Sequence, residues 1–273
     1  MNVKLSQLQS PALAGVVREK SARAAIAEIK NCMYGGASMI DLHLSCLEKD
    51  DGDTLKQIIS SSRLPVLALN YNSTYDWTDA GYSEERRTDS LIRAVEAGAA
   101  GIDMQGYTFH APSKKGFFGE NQYSFTQGNP REVVTDEAVI GRQCELIERI
   151  HQMGAEVLLS CHPGIAMKCE QVVELALFLE KRRPDIIKIV TSGADTEEDL
   201  AECFRTMITL KKELKTPVSF HANGKAASLT RIINPLLGGH IIFAVDRFDA
   251  GSTMAQVDLR TARAIIDNMK KIM

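Results

Sequence analysis

Short apolar, β-branched runs recur along this chain at intervals that a helix can fill. They are Ala12–Val17, Met39–Leu44, Pro65–Leu69, Gly101–Met104, Val157–Cys161, Ile186–Val190, Val218–Phe220 and Ile241–Val245. Each has a strand's length rather than a helix's. Most read as continuously apolar with at most an isolated polar residue, as in parallel strands covered on both faces, whereas a half-exposed strand would alternate. Helical stripes lie between them: Ser21–Cys32, Ser83–Glu96, Thr135–Met153, Cys169–Lys181, Thr196–Leu214, Ser228–Leu236 and Gln256–Met273. Acidic first turns at Asp136-Glu137 and Thr196-Glu-Glu-Asp199 mark two helix starts.

Eight such repeats in 273 residues match a (β/α)8 TIM barrel, an α/β fold expected to fill residues 1–273 as a single domain. The rival, an open doubly wound sheet, normally carries a glycine-rich phosphate turn after its first strand. Here that strand runs into Val16-Val17-Arg18-Glu19 with no GxGxxG, so the barrel is the expectation. One connection breaks the rhythm. Gly106–Val134 is long, polar and aromatic, and it leaves the C-terminal end of the fourth strand. It would hang over the barrel mouth, as a surface insertion or as a substrate lid.

Composition narrows the functional classes. A net charge of −3, no basic block and 6% aromatic residues argue against nucleic acid or an anionic membrane as partner. No stretch approaches the ~18 apolar residues of a membrane span, and the N-terminus lacks a secretory apolar core. Six cysteines (Cys32, Cys46, Cys144, Cys161, Cys169, Cys203) show no CxxC pair. They read as small apolar residues in a reducing compartment, so a cytoplasmic location is expected.

Barrel enzymes place their chemistry at strand C-termini, so a polar residue inside an apolar strand needs an explanation. Lys188 is the sharpest case, in Asp185-Ile-Ile-Lys-Ile-Val-Thr191. Period two puts Ile186, Lys188 and Val190 on one side, toward either the barrel axis or the helix layer. An ammonium in either place is costly unless paired. Burial disfavours the charged form of an amine, and a neutral amine attacks a carbonyl to form an imine. The structural alternative is a lysine paired with a neighbouring carboxylate. His162 follows Leu158-Leu-Ser-Cys at the end of the fifth strand, one strand before Lys188. Adjacent strands lie ~4.8 Å apart, so imidazole and amine can share one small-molecule substrate. An imidazole there can carry protons near neutrality.

These residues resemble the type I 3-dehydroquinate dehydratases, a family of Schiff-base barrel lyases. Ser160-Cys-His162 is similar to that family's Ser-aromatic-His motif, and Asp185-Ile-Ile-Lys188-Ile to its Asp-hydrophobic-hydrophobic-Lys-Ile. Asn223-Gly-Lys-Ala-Ala-Ser-Leu-Thr-Arg231 resembles Met-Gly-x-x-Gly-x-x-Ser-Arg, and Ser252-Thr-Met-Ala-Gln256 fills the place of Ser-Ala-Pro-Gly-Gln. Order and spacing hold from about residue 38 to 270. The resemblance implies an imine between Lys188 and a substrate ketone, with no cofactor and no metal. It further implies that His162 removes the α proton and assists loss of water, while Arg231, Ser252 and Gln256 hold a substrate carboxylate. A homodimer and a place in the shikimate pathway of aromatic amino acid biosynthesis come with it.

Departures cluster in the first half. The family's Glu-x-Arg-x-Asp is here Asp41-Leu-His43-Leu-Ser45, its Phe-Arg is Asn70-Tyr71, and its Asp-x-Glu is Asp103-Met-Gln105. The glutamate that orients the family's histidine falls near Tyr75 or Asp76, so Asp76 is expected beside His162. Asp41, His43, Asn70, Tyr71 and Gln105 would then line a rebuilt hydroxyl pocket. Two readings follow: a divergent dehydroquinate dehydratase, or a sibling Schiff-base lyase or aldolase acting on another carboxylated ketone. Two further classes compete. A metal-dependent barrel hydrolase could draw on Asp41, His43, His162, Lys188, His221 and Asp246, although the first strand has no His-x-His. A non-catalytic binding barrel is the other, and it would have no reason to keep both Lys188 and His162.

Overall fold

Strands buried on both faces need apolar residues at nearly every position, and that is how this sheet is built. The computed structural model describes residues 3–71, 83–109, 134–249, 252, 255–269 and 271. β1 (Ala12–Val17), β2 (Met39–His43), β3 (Val66–Leu69), β4 (Gly101–Gln105), β5 (Glu156–Cys161), β6 (Ile186–Ser192), β7 (Val218–Asn223) and β8 (Ile241–Val245) follow one another around a parallel sheet. β1 pairs with both β2 and β8. Between β7 and β8 the ring closes through the His240 amide, which donates to the Val218 carbonyl at 2.8 Å. The Ile241 amide beside it donates to Ser219 Oγ at 3.0 Å. This is the expected TIM barrel.

Alternate positions serve two apolar layers. Ala12, Ala14, Val16, Met39, Leu67, Leu158, Ile186 and Phe243 fill the inside. Leu13, Ile40, Leu42, Ile102, Leu159, Ile187 and Ile189 point outward into the helix layer. That layer comprises α1 (Ala22–Tyr34), α2 (Gly52–Ser60), α3 (Glu84–Glu96), α4 (Glu137–Gln152), α5 (Cys169–Glu180), α6 (Glu197–Glu213), α7 (Ala227–Leu236) and α8 (Leu259–Met269). Side-chain caps start most of them: Ser21 accepts from the Ala24 amide, Ser83 from Arg86 and Asp136 from Val139. Gly15 lets α1 lie close on β1, because a Cβ there would stand 2.6 Å from that of Cys32.

Three expectations change. α2 is absent from the stripes read in the sequence; it is short, buries only Leu55, Ile58 and Ile59, and is capped by Asp51. β7 runs three residues past Phe220, which carries His221 and Asn223 on the strand itself. The C-terminal stripe is not one helix from Gln256, because β9 (Val257–Asp258) pairs with β8 before α8 begins. Of the long connection after β4, only residues 106–109 and 134 are described, so the lid expectation lies outside the described residues. All six cysteines are free, and burial pushes the Cys32 thiol up to about 12 and that of Cys203 to about 11.

Candidate active site

On β4 to β7 the inward positions turn polar toward the C-terminal end of the barrel. Period two from Leu158 and Ile186, both inside, puts Ser160, His162 and Lys188 inside as well. Lys188 is 7% exposed. Its Nζ donates to Tyr71 Oη at 3.0 Å and to Asp103 Oδ2 at 3.2 Å. Two ring faces flank the ammonium, Phe243 at 4.7 Å and Tyr71 at 5.3 Å from their centroids. The two sequence readings of this lysine therefore coincide: it faces the axis and it is paired with a carboxylate. That carboxylate, Asp103, is fully buried on β4 and also accepts from Ser160 Oγ at 2.5 Å and Tyr71 Oη at 3.0 Å.

Tyr71 is the hub of the site rather than one wall of a pocket. Besides Lys188 and Asp103, its phenol oxygen lies 3.0 Å from Ser160 Oγ and 3.5 Å from His162 Nε2. The Tyr71 and His162 rings meet edge to face, at 82° and 5.3 Å between centroids. Burial, then the charges of Lys188 and Arg231, hold the His162 imidazole well below its ordinary range. His221, inward on β7 and 6% exposed, is lowered in the same way by burial, then by Arg231, Lys188 and His162. It makes no hydrogen bond among the described residues. The sequence had suggested it only as a zinc ligand.

Arg231 comes from α7. Its Nη2 donates to Asn223 Oδ1 at 3.3 Å, while Nε is buried with no hydrogen-bond partner among the described residues. No carboxylate there pairs with it, and burial pushes the guanidinium down to about 10. Ser252 Oγ accepts from Arg18 at 2.9 Å, and Arg18 also binds Asp249 at 2.8 Å. Arg18 was not foreseen, because directly after β1 it reads as a surface charge. Gln256 stands half-buried just before β9. Asp41 and His43 both face inward from β2, with Asp41 Oδ2 3.4 Å from His43 Nε2. The other Asp41 oxygen is buried and has no partner among the described residues.

Gln105 departs from its expected place in an open pocket. Its Oε1 accepts from Arg87 Nη1 and its Nε2 donates to the Asp103 carbonyl at 3.0 Å, so both ends are engaged. Arg87 itself, 4% exposed, is further held by Glu84 at 2.8 Å, Thr108 at 2.7 Å and the Asn70 carbonyl at 3.3 Å. In sequence Glu84 and Arg87 look like an ordinary i,i+3 surface pair. Asp246 pairs with Arg260 at 3.1 Å. Among the described residues no group of three or more His, Cys, Asp or Glu could hold a metal ion. Asp76 lies outside the described residues.

The two depressed histidines set a pH dependence. Below their ordinary pKa, near 6.5, the unfolded chain takes up protons that the folded site refuses. Stability is therefore expected to fall as pH drops from about 7 to about 5. Thermal melts across that window should show the decline, and the double variant His162→Gln, His221→Gln should flatten it. An unchanged slope in the double variant would assign the effect to other groups.

A model of the type I 3-dehydroquinase family matches residues 132–273, just over half of the chain. Comparison with curated proteins finds no sequence match. Among solved structures, the type I 3-dehydroquinate dehydratase of Clostridium difficile superposes with a TM-score of 0.76 at 14% identity, over 100% of this chain and 99% of that one. The 3-dehydroquinate dehydratase of Geobacillus kaustophilus HTA426 gives 0.75 at 14%, over 99% and 97%. That of Enterococcus faecalis gives 0.71 at 14%, over 97% and 98%. At such identities the superpositions speak for the barrel, and the family match speaks for kinship.

Barrel and matched sequence together define a lyase that breaks carbon–oxygen bonds. The match is shorter than the span of about 38–270 over which the motifs keep their order and spacing, and it covers the half that holds His162, Lys188 and Arg231. The chain belongs to the type I 3-dehydroquinase family. Membership replaces the metal-hydrolase and non-catalytic readings with a dehydratase-like one.

Proposed function

We propose that the protein eliminates water from a carboxylated ketone through an imine on Lys188, without a cofactor. The observation that carries this is an amine on the inner barrel wall, hydrogen-bonded to a phenol that also reaches His162. An imine turns the ketone into an electron sink. His162, held neutral, can then take the proton α to it and hand that proton to the hydroxyl at the β carbon, which leaves as water. Hydrolysis of the product imine restores the amine. The Clostridium difficile relative was solved with covalent modified comenic acid, which fits a covalent route in the family.

Arg231 offers a guanidinium fork to the substrate carboxylate, since no anion among the described residues satisfies it. Ser252 and Gln256 add neutral hydrogen bonds beside it, and Arg18 adds charge. Asp41, His43 and His221 present the polar groups that would meet the substrate's hydroxyls. These differ from the family's acid–arginine pair, so the hydroxyl pattern is where a substrate other than 3-dehydroquinate would show. Buried thiols and a net charge of −3 fit a cytoplasmic enzyme with a small-molecule partner, and we include the family-implied homodimer in the proposal. Among the described residues no helix is long and apolar enough to cross a membrane.

The test is borohydride trapping followed by mass spectrometry, first with 3-dehydroquinate and then with other cyclic and open-chain keto acids. A reduced adduct on Lys188 is expected with at least one. No adduct with any of them would overturn the imine.

A further inference from the structure

We infer that Tyr71 is the proton relay that arms Lys188 and serves the substrate oxygen during imine formation. This rests on the imine reading above but concerns a different residue and a different step. The phenol oxygen has one proton to give, yet it stands within 3.0 Å of Asp103, Ser160 and Lys188 and 3.5 Å from His162 Nε2. A hydroxyl can donate only once, so these contacts cannot all receive its proton together. Several proton arrangements are therefore available to one fixed set of heavy atoms, which is what a relay requires. Position adds direction. Asp103 is completely buried, whereas Tyr71 is half-buried two residues past Leu69, the β3 partner of Asp103 in the sheet register. Tyr71 thus stands between the carboxylate and the barrel mouth.

The steps balance. At rest a Lys188 N–H points to the phenol oxygen and the phenol O–H to Asp103 Oδ2. One proton moves along each bond, leaving a neutral amine, an intact phenol and a protonated Asp103. The amine nitrogen attacks the ketone carbon, and a C–N bond forms. The carbonyl π pair goes to oxygen, which takes the phenol proton, and the phenolate recovers a proton from the new ammonium. The Asp103 proton then travels through Tyr71 to the carbinolamine hydroxyl. The C–O bond breaks and water departs. The nitrogen lone pair closes the iminium, and Asp103 is again a carboxylate facing a cation. Ser160, donating to the other Asp103 oxygen at 2.5 Å, keeps that carboxylate aimed.

Tyr71→Phe removes one oxygen and keeps the ring that packs on His162. With 3-dehydroquinate, or whichever keto acid labels the wild type, under borohydride, adduct formation on Lys188 is expected to slow about 10²-fold or more relative to wild type, the usual scale of a lost proton carrier. Trapping at the wild-type rate would overturn the relay. If Tyr71→Phe fails to fold, 3-fluorotyrosine at position 71 keeps every contact and makes the phenol more acidic. The pH profile of trapping should then move to lower pH, and an unmoved profile would overturn the inference. A wild-type protein that yields no adduct with 3-dehydroquinate or any of the other keto acids brings down the imine itself, a result distinct from a wild-type rate in the variant.

Discussion

Replacing Lys188 by methionine is expected to lower kcat by on the order of 10⁴-fold or more and to abolish borohydride adducts. The same change should weaken the fold. Lys188 and Asp103 form a buried pair at 3.2 Å, and removing one member of such a pair typically costs about 3–5 kcal/mol, because the other charge is left alone. Stability and catalysis can be separated by adding Asp103→Asn. Two neutral groups tolerate each other, so the double variant should regain much of the urea midpoint and none of the activity. Turnover surviving in either variant would refute the nucleophile. Loss of activity that returned together with stability would assign Lys188 a structural role only.

Arg231→Met is expected to move stability and affinity in opposite directions. In the free protein Arg231 is half-buried, with Nε fully buried and unsatisfied and no carboxylate partner among the described residues. Removing an uncompensated buried charge relieves a cost, so the thermal midpoint of the free protein should rise. The substrate carboxylate loses its charged partner, and KM should increase roughly 10²-fold, the scale of about 2–4 kcal/mol for a buried charged contact. Function built at the expense of stability is a common feature of binding sites. A variant that melted lower and bound normally would place Arg231 in the scaffold instead.

The barrel was legible because strands covered on both faces must be largely apolar, and eight short, largely apolar runs stand out. Lys188 was legible for the converse reason, as the one polar residue inside the run Ile186–Val190, and His162 because it stands directly at the end of the run before it. α2 escaped because nine residues with three buried side chains make a faint stripe. Tyr71 was legible only as a departure from a motif. It lies past the end of β3, and its contacts depend on how β3, β4, β5 and β6 sit in register, which local periodicity does not contain. Arg87 and Gln105 are 18 positions apart and looked like a surface charge and a pocket amide. Only tertiary packing turns them into a buried pair.

The reactive groups and part of the recognition set occupy different arcs of the ring. β6 and the end of β5 carry the amine and the imidazole, with the guanidinium of α7 and His221 of β7 beside them, while β2 and the end of β1 present Asp41, His43 and Arg18. Such a division lets natural or laboratory selection retune which molecules are accepted by rewriting one arc, with the reactive centre inherited intact from the other. Tyr71 and Asp103 are the hinge pins of that freedom: they sit on the variable side yet touch the amine, so exchanging half-barrels between relatives should succeed only when those two positions travel with the lysine they serve.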